Sequence, residues 1–317
     1  MTPYASSPRA RDHLSKRLTR RLASLSLVSF VTIASLLALQ GVVWFATPER
    51  SEASAQTFCA STPFNCEVEE AINLGLDYLR GIESNGRLGG DVRHNFLAIL
   101  AFLEKRSGVG WQGRTLGYEG LNEEDRALVR RLVREHINGY GTHANPNTVP
   151  YNYVVGGGMM ALATYILTGG PEDVGANVTA TQALANAIMG VQDAQGQSVP
   201  YNNGGWNYTS PTTNGDMSVT QFVVAGLSAA ENVISGARDV FPNLIPYLES
   251  SQPVDGGLKY RPNGGASSSS MSATGLWCYR LSETPVEDER VQGALGWLRR
   301  NYRYDTSVGP HSPRSTF

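Results

Sequence analysis

The side chains in this sequence suited to acid–base work are Asp91, His94, Tyr151, Tyr153, Asp216 and His311, with Gln221 and Ser272 as polar companions. A carboxylate or imidazole within hydrogen-bonding reach of a substrate proton acts as general base or acid, and a tyrosine hydroxyl can join that work. Asp91 and His94 are three residues apart, but the set spans 220 residues, so only the fold can assemble it. The plain alternative is that Asp91 and Asp216 cap helices and the tyrosines line a packed funnel.

Other chemistries lack a frame. His13, His94, His136, His143 and His311 show no close ligand spacing such as His-x-x-x-His, so neither a metal nor a cofactor is expected. His136 ends a charged segment, where it would favour the negative end of a helix dipole. There is no Gly-x-Ser-x-Gly elbow, and Gly156-Gly157-Gly158 lacks the Lys-Ser/Thr of a phosphate loop. Those glycines suit close packing of a buried helix. Cys59 and Cys66 flank Ser61-Thr62-Pro63-Phe64 and would close a small disulfide loop in an oxidising compartment. Such a loop stabilises by about 2–3 kcal/mol in the chain-entropy picture. The alternative is a pair of reduced thiols. Cys278, in Leu-Trp-Cys-Tyr-Arg-Leu, reads as a small core residue.

The elements that must position these residues begin with an export segment. Residues 1–21 are basic, and residues 22–46 are uncharged and largely apolar. Twenty-five such residues can span a bilayer or serve as a signal h-region, with Ala53-Ser54-Ala55 as a cleavage site. Both readings place the basic end in the cytoplasm and the remainder outside, periplasmic or anchored to the cytoplasmic membrane. Residues 1–55 hold seven Lys/Arg against three Asp/Glu, leaving 19 basic and 25 acidic side chains beyond them. That balance gives no reason to expect a nucleic-acid partner. A linker with the cysteine pair covers 47–66.

From Glu67 the pattern is all-α. Val68, Ala71, Ile72, Gly75, Leu76 and Leu79 mark an amphipathic outer helix, and Phe96 to Leu103 a more uniformly apolar inner one. Outer helices are expected at 122–137, 179–192, 238–251 and 285–300, and inner ones at 154–167, 217–234 and 270–282. Glycines 90, 141, 205, 257 and 309 punctuate the units at intervals of 51, 64, 52 and 52 residues. A period near 50 with two helices per unit signals a helical repeat.

Trp206 after Gly204-Gly205, then Ser218-Val219-Thr220-Gln221 heading an inner helix, with Gln192 and Gln252 ending outer helices, resembles the prenyltransferase and squalene-oxidase repeat. The resemblance covers residues 67–317. It implies an α/α toroid like that of terpenoid cyclases and protein prenyltransferase β subunits; related toroids occur in thioester proteins and some polysaccharide lyases. Ser312 to Phe317 resembles the entry to a further inner helix, so about four and a half pairs are expected where a closed ring usually has five to seven. A protein partner, self-association or N-terminal packing would close that C-terminally incomplete ring.

In such a toroid all inner helices start at one end. Asp91, His94, Tyr151, Tyr153, Asp216, Gln221, Ser272 and His311 would then surround one mouth, and converging helix N-termini would favour an anionic or polar ligand. The chain departs from the family's chemistries. It has no Asp-x-Asp-Asp acid, no Asp-x-Cys zinc pair and no Cys-Gly-Glu-Gln thioester. The expectation is therefore a non-catalytic binding or assembly module of the cell envelope, its ligand an isoprenoid or a glycan. The alternatives are a cyclase- or prenyltransferase-like enzyme acting on an isoprenoid, and a polysaccharide lyase.

Overall fold

The computed structural model describes residues 63–107, 113–141, 151–196, 204–209, 215–303 and 308–309, all within the compact unit Ser54–Phe317. The basic segment, the apolar run 22–46, Cys59 and His311 lie outside the described residues, and with Cys59 the expected disulfide. Among the described residues no helix is long and apolar enough to cross a membrane.

The described residues form ten helices in order: α1 (Pro63–Ile82), α2 (Asn95–Leu103), α3 (Gly117–Gly120), α4 (Glu123–Tyr140), α5 (Tyr151–Leu167), α6 (Ala180–Asp193), α7 (Met217–Ala230), α8 (Phe241–Ser250), α9 (Ser269–Leu281) and α10 (Glu289–Asn301). Side-chain caps start half of them. Asn122 Oδ1 accepts the Asp125 amide at 2.8 Å, and Glu123, Glu124 and Asp125 fill the first turn of α4, where the dipole favours negative charge. Thr179, Asp216, Ser268 and Asp288 cap α6, α7, α9 and α10 through side-chain oxygens.

The apolar helices form a row. α2 packs on α5, α5 on α7 and α7 on α9, while α4, α6 and α10 pack against α2, α5 and α9 from outside. Three consecutive glycines set the closest of these approaches. A Cβ at Gly156 would lie 2.6 Å from backbone atoms of Phe222 and Val223 in α7; at Gly157 it would meet the Phe96 ring, and at Gly158 the His136 ring. Three positions about 100° apart on one helix thus touch α7, α2 and α4 in turn.

The repeat is written in backbone hydrogen bonds. Gly86, Gly204 and Gly256 have positive φ of 80°, 103° and 85°, and each presses on the backbone of the next outer helix at Arg131, Asn243 and Gly293. Two residues on, the carbonyls of Leu88, Trp206 and Leu258 accept from the amides of Asp91, Asp216 and Ser268 at 3.0, 2.7 and 3.2 Å. An amide side chain then ties each turn to the following outer unit. Asn95 Nδ2 donates to the Gly86 and Leu132 carbonyls, Gln195 Nε2 to Gly204 and Val240, and Gln252 Nε2 to Gly256 and Arg290, all within 3.1 Å.

These bonds correct the sequence landmarks. The partner of the Gly204 turn in the first unit is Gly86, not Gly90, and the partner of Gln252 is Gln195, not Gln192. Gly141 is a helix C-cap with φ of −83° rather than a turn glycine. Asn85-Gly86 also turns a two-residue hairpin, Glu83–Ser84 with Arg87–Leu88, that helical periodicity did not anticipate.

The apolar face expected on α1 is only half covered. Leu76 is buried, but Ile72 is 46% exposed, and Ala71 and Gly75 are exposed as well. As the first helix of the row, α1 has α2 as its main neighbour, with a bidentate Arg80–Asp125 pair at 2.8 Å anchoring it to α4.

Candidate functional site

The inner helices run parallel, which side-chain register makes plain. Phe96, second in α2, meets Tyr153, third in α5, with ring centroids 6.0 Å apart, and Tyr153 meets Phe222, sixth in α7, at 4.3 Å. Thr274, sixth in α9, donates to Gln221 Oε1, fifth in α7, at 3.1 Å. The starts of α2, α5, α7 and α9 are therefore brought to one end, and the turns deliver tyrosines there. Tyr208 and Tyr260, each two residues past Trp206 and Leu258, give their carbonyls to the amides of Asn152 and Met217, at 3.2 and 3.0 Å. Val308 does the same for Ser269 at 2.8 Å. Each turn thus caps the inner helix of the preceding unit.

Asp216 caps α7 at this end and is fully buried. Its Oδ1 accepts from the Ser218 amide at 2.9 Å, the Ser218 hydroxyl at 2.5 Å and the Val219 amide at 3.3 Å. Its Oδ2 lies 3.7 Å from Nη2 of Arg261. The Tyr260 hydroxyl also interacts with the Asp216 carboxylate. The Arg261 guanidinium lies over the Tyr260 ring, 5.6 Å from its centroid, and the Tyr260 and Ser218 hydroxyls are 3.3 Å apart. Burial first, then the Asp216 carboxylate, push the Tyr260 hydroxyl well above its ordinary range. Burial likewise raises Tyr153, with Tyr208 close enough to add to the effect. Tyr153, Tyr208, Ser218, Gln221, Phe222, Tyr260 and Arg261 are all half-buried. The part of the site within reach of a ligand is thus aromatic, amide, hydroxyl and guanidinium, with the carboxylate beneath.

The remaining sequence candidates are placed as follows. Asp91 accepts from the amide and guanidinium of Arg93, both at 2.8 Å; that guanidinium holds its carboxyl down to about 2. It caps the short turn Val92–His94, which packs on α4. His94 is exposed. Tyr151 is 1% exposed, and its hydroxyl abuts Gly190 of α6, so it packs between helices. Ser272 is buried and its Oγ accepts the Leu258 amide at 2.9 Å; Thr220 does the same for Trp206 at 3.0 Å. Asp91, Tyr151 and Ser272 hold the frame, whereas Tyr153, Asp216 and Gln221 belong to one cluster. Cys66 is half-buried in α1, and Cys278 is fully buried, which pushes its thiol up to about 12.

Among the described residues, several amides at the starts of the inner helices are already engaged. The amides of Asn152, Met217 and Ser269 go to the Tyr208, Tyr260 and Val308 carbonyls, those of Ser218 and Val219 to the Asp216 side chain, and that of Met271 to Ser268. Among the described residues no group of three or more His, Cys, Asp or Glu is placed to hold a metal.

Tyr208, Phe222, Tyr260 and Arg261 were not singled out from sequence. A signal existed: Trp206-Asn207-Tyr208 and Leu258-Lys259-Tyr260 put a tyrosine at one repeat position, 52 residues apart.

One further titratable group is buried away from this end. His136 in α4 is 2% exposed, stacks on Tyr140 at 5.6 Å, and leaves Nδ1 without a partner beside a cavity of about 10 Å³. Burial lowers its pKa to about 4. Searched against known proteins, the chain matches no family model and no curated relative.

Proposed function

We propose that residues 67–317 form an α/α toroid of the prenyltransferase and squalene-oxidase repeat type, carried outside the cytoplasm by the N-terminal segment. In this proposal the domain works as a binding module of the cell envelope. The observation that carries this reading is the state of Asp216. It is the carboxylate of the mouth, yet it is fully buried, with one oxygen engaged by three donors that begin α7 and the other turned toward Arg261. An acid that protonates a substrate must present a proton to it, and here the groups facing outward are rings, an amide and a guanidinium. Such a surface holds a ligand without transforming it.

The second reading, an enzyme acting on an isoprenoid, draws on the Phe96–Tyr153–Phe222 ring cluster, one ring of which stands on the helix that Asp216 caps. The two are separated by incubating the full chain, purified in detergent, with squalene and with farnesyl diphosphate, and analysing the extract by gas chromatography and mass spectrometry. Unchanged substrate is expected in both incubations. A cyclised or transferred product absent from the boiled control would overturn the binding-module reading.

A further inference from the structure

Val254 is the most exposed of the large apolar side chains among the described residues, and it is held in place. It stands second in a tight turn, Pro253 to Gly256, closed by the Gly256 amide donating to the Pro253 carbonyl at 2.9 Å. Gln252, just before that turn, clamps it through Nε2 to the Gly256 and Arg290 carbonyls, at 2.9 and 2.8 Å. Arginines stand beside the turn. Arg300 Nη2 donates to the Asp255 carbonyl at 2.9 Å, which puts the last turn of α10 next to Val254. Arg299 and Arg300 are exposed there, and Tyr302 and Arg303 are exposed just past the helix end.

The carboxylate of the turn does not offset these charges at the surface. Asp255 Oδ1 accepts from the Gly257 amide and the Ser267 hydroxyl at 3.0 and 2.9 Å, and Oδ2 from the Trp297 indole at 3.1 Å. From Arg299 to Phe317 the sequence holds four arginines against Asp305 alone. Cations at a helix C-terminus offset the dipole, which accounts for Arg299 and Arg300 but not for Arg303, Tyr302 or the valine. Guanidinium groups, an exposed aromatic ring and an apolar tip together suit the headgroup region of an anionic bilayer.

We propose that the Val254 turn and the end of α10 rest on an anionic phospholipid bilayer. Val254 and Tyr302 enter the headgroup boundary, while Arg299, Arg300 and Arg303 meet lipid phosphates. A contact this small suffices because the N-terminal segment, in the proposed reading, keeps the domain at a membrane and so raises its effective concentration there. The inference rests on that membrane delivery and leaves the ligand of the binding module open.

The test is electron paramagnetic resonance on the full chain, with a nitroxide on Val254→Cys in a Cys59→Ser, Cys66→Ser background. Cys278 is fully buried and stays unlabelled. The chain is reconstituted in vesicles of phosphatidylcholine alone or mixed equally with phosphatidylglycerol, and collisions with a water-soluble nickel complex are compared with those with oxygen. In the anionic vesicles at about 0.1 M salt, where charges act over about 10 Å, the label should lose nickel contact and gain oxygen contact. In phosphatidylcholine, or at about 1 M salt, it should stay in water. Arg299→Gln with Arg303→Gln should lower the ratio of membrane-seated to aqueous label about tenfold or more, whereas lysine at both positions should keep it. A label on Asp173→Cys, in the exposed loop between α5 and α6, should face water throughout. Equal nickel contact in both vesicles, no change in the glutamine variant, or the same response at position 173 would each overturn the proposal. The vesicles supply the bilayer, so failure here removes this surface alone; a product from squalene or farnesyl diphosphate removes the binding-module reading instead.

Discussion

Gly204→Ala should destabilise the protein by more than about 4 kcal/mol, a large part of a typical folding free energy. A Cβ there would lie 1.6 Å from the Asn243 carbonyl oxygen and 2.3 Å from its carbon, both backbone atoms of α8 that cannot rotate aside. The φ of 103° adds a conformational penalty that only glycine escapes. Gly89 separates the two causes: its φ is 56°, but a Cβ added there would have nothing within 4 Å. Gly89→Ala should therefore show the backbone penalty alone, about 1–2 kcal/mol. Urea denaturation of both variants measures the difference. Equal midpoints would mean that the turn does not press on the next helix, and the stitched repeat would fail.

The second large effect is acid sensitivity from His136. Its folded pKa of about 4 lies below the ordinary 6.5, because burial disfavours the charged ring. The fold therefore keeps the ring neutral while the unfolded chain takes up a proton below pH 6.5. The full contribution is present above pH 6.5, is lost progressively as pH falls to 4, and amounts to about 3 kcal/mol across that window. The neighbours on that side are Tyr140, stacked on the ring, with Arg93 and Asp91 beyond it. Asp91 and Asp288, held down to about 2 by Arg93 and Arg290, lose their contributions only below the histidine window. Stability measured from pH 7.5 to 4 should slope for the wild type and flatten for His136→Leu. A flat wild-type curve would show that the ring is charged or solvated in the fold.

How much of this was legible in the sequence follows from the signals involved. The helices were, because apolar residues at spacings of three and four survive any detail of packing. The Phe96–Leu103 run lies in α2, and the inner helix expected at 217–234 starts at Met217 but ends at Ala230. The units were legible too, but their register was not. Gly86 and Gly90 both punctuate the first turn, and only hydrogen bonding to the next helix distinguishes them. Gln192 also reaches the neighbouring unit, at the Gly236 and Ala237 carbonyls, but Gln195 is the one that joins that unit to the Gly204 turn. The position of Asp216 was readable, whereas its burial was not. A capping aspartate and a catalytic one share a residue type and a helix start, and the donors around the carboxylate tell them apart. Tyr260 and Arg261 escaped notice because they arrive from the next unit, 44 and 45 residues later in the chain.

Asp216 is above all a helix cap, and parallel denaturation of Asp216→Asn and Asp216→Ala tests that most directly. Asparagine caps a helix about as well as aspartate, so Asp216→Asn should stay within about 1 kcal/mol of wild type. Alanine removes the acceptor from the Ser218 and Val219 amides and should lose about 1–2 kcal/mol. A residue held in place for chemistry behaves in the opposite way, because relieving a buried, poorly satisfied carboxylate stabilises the fold. Both variants melting higher than wild type would contradict the cap.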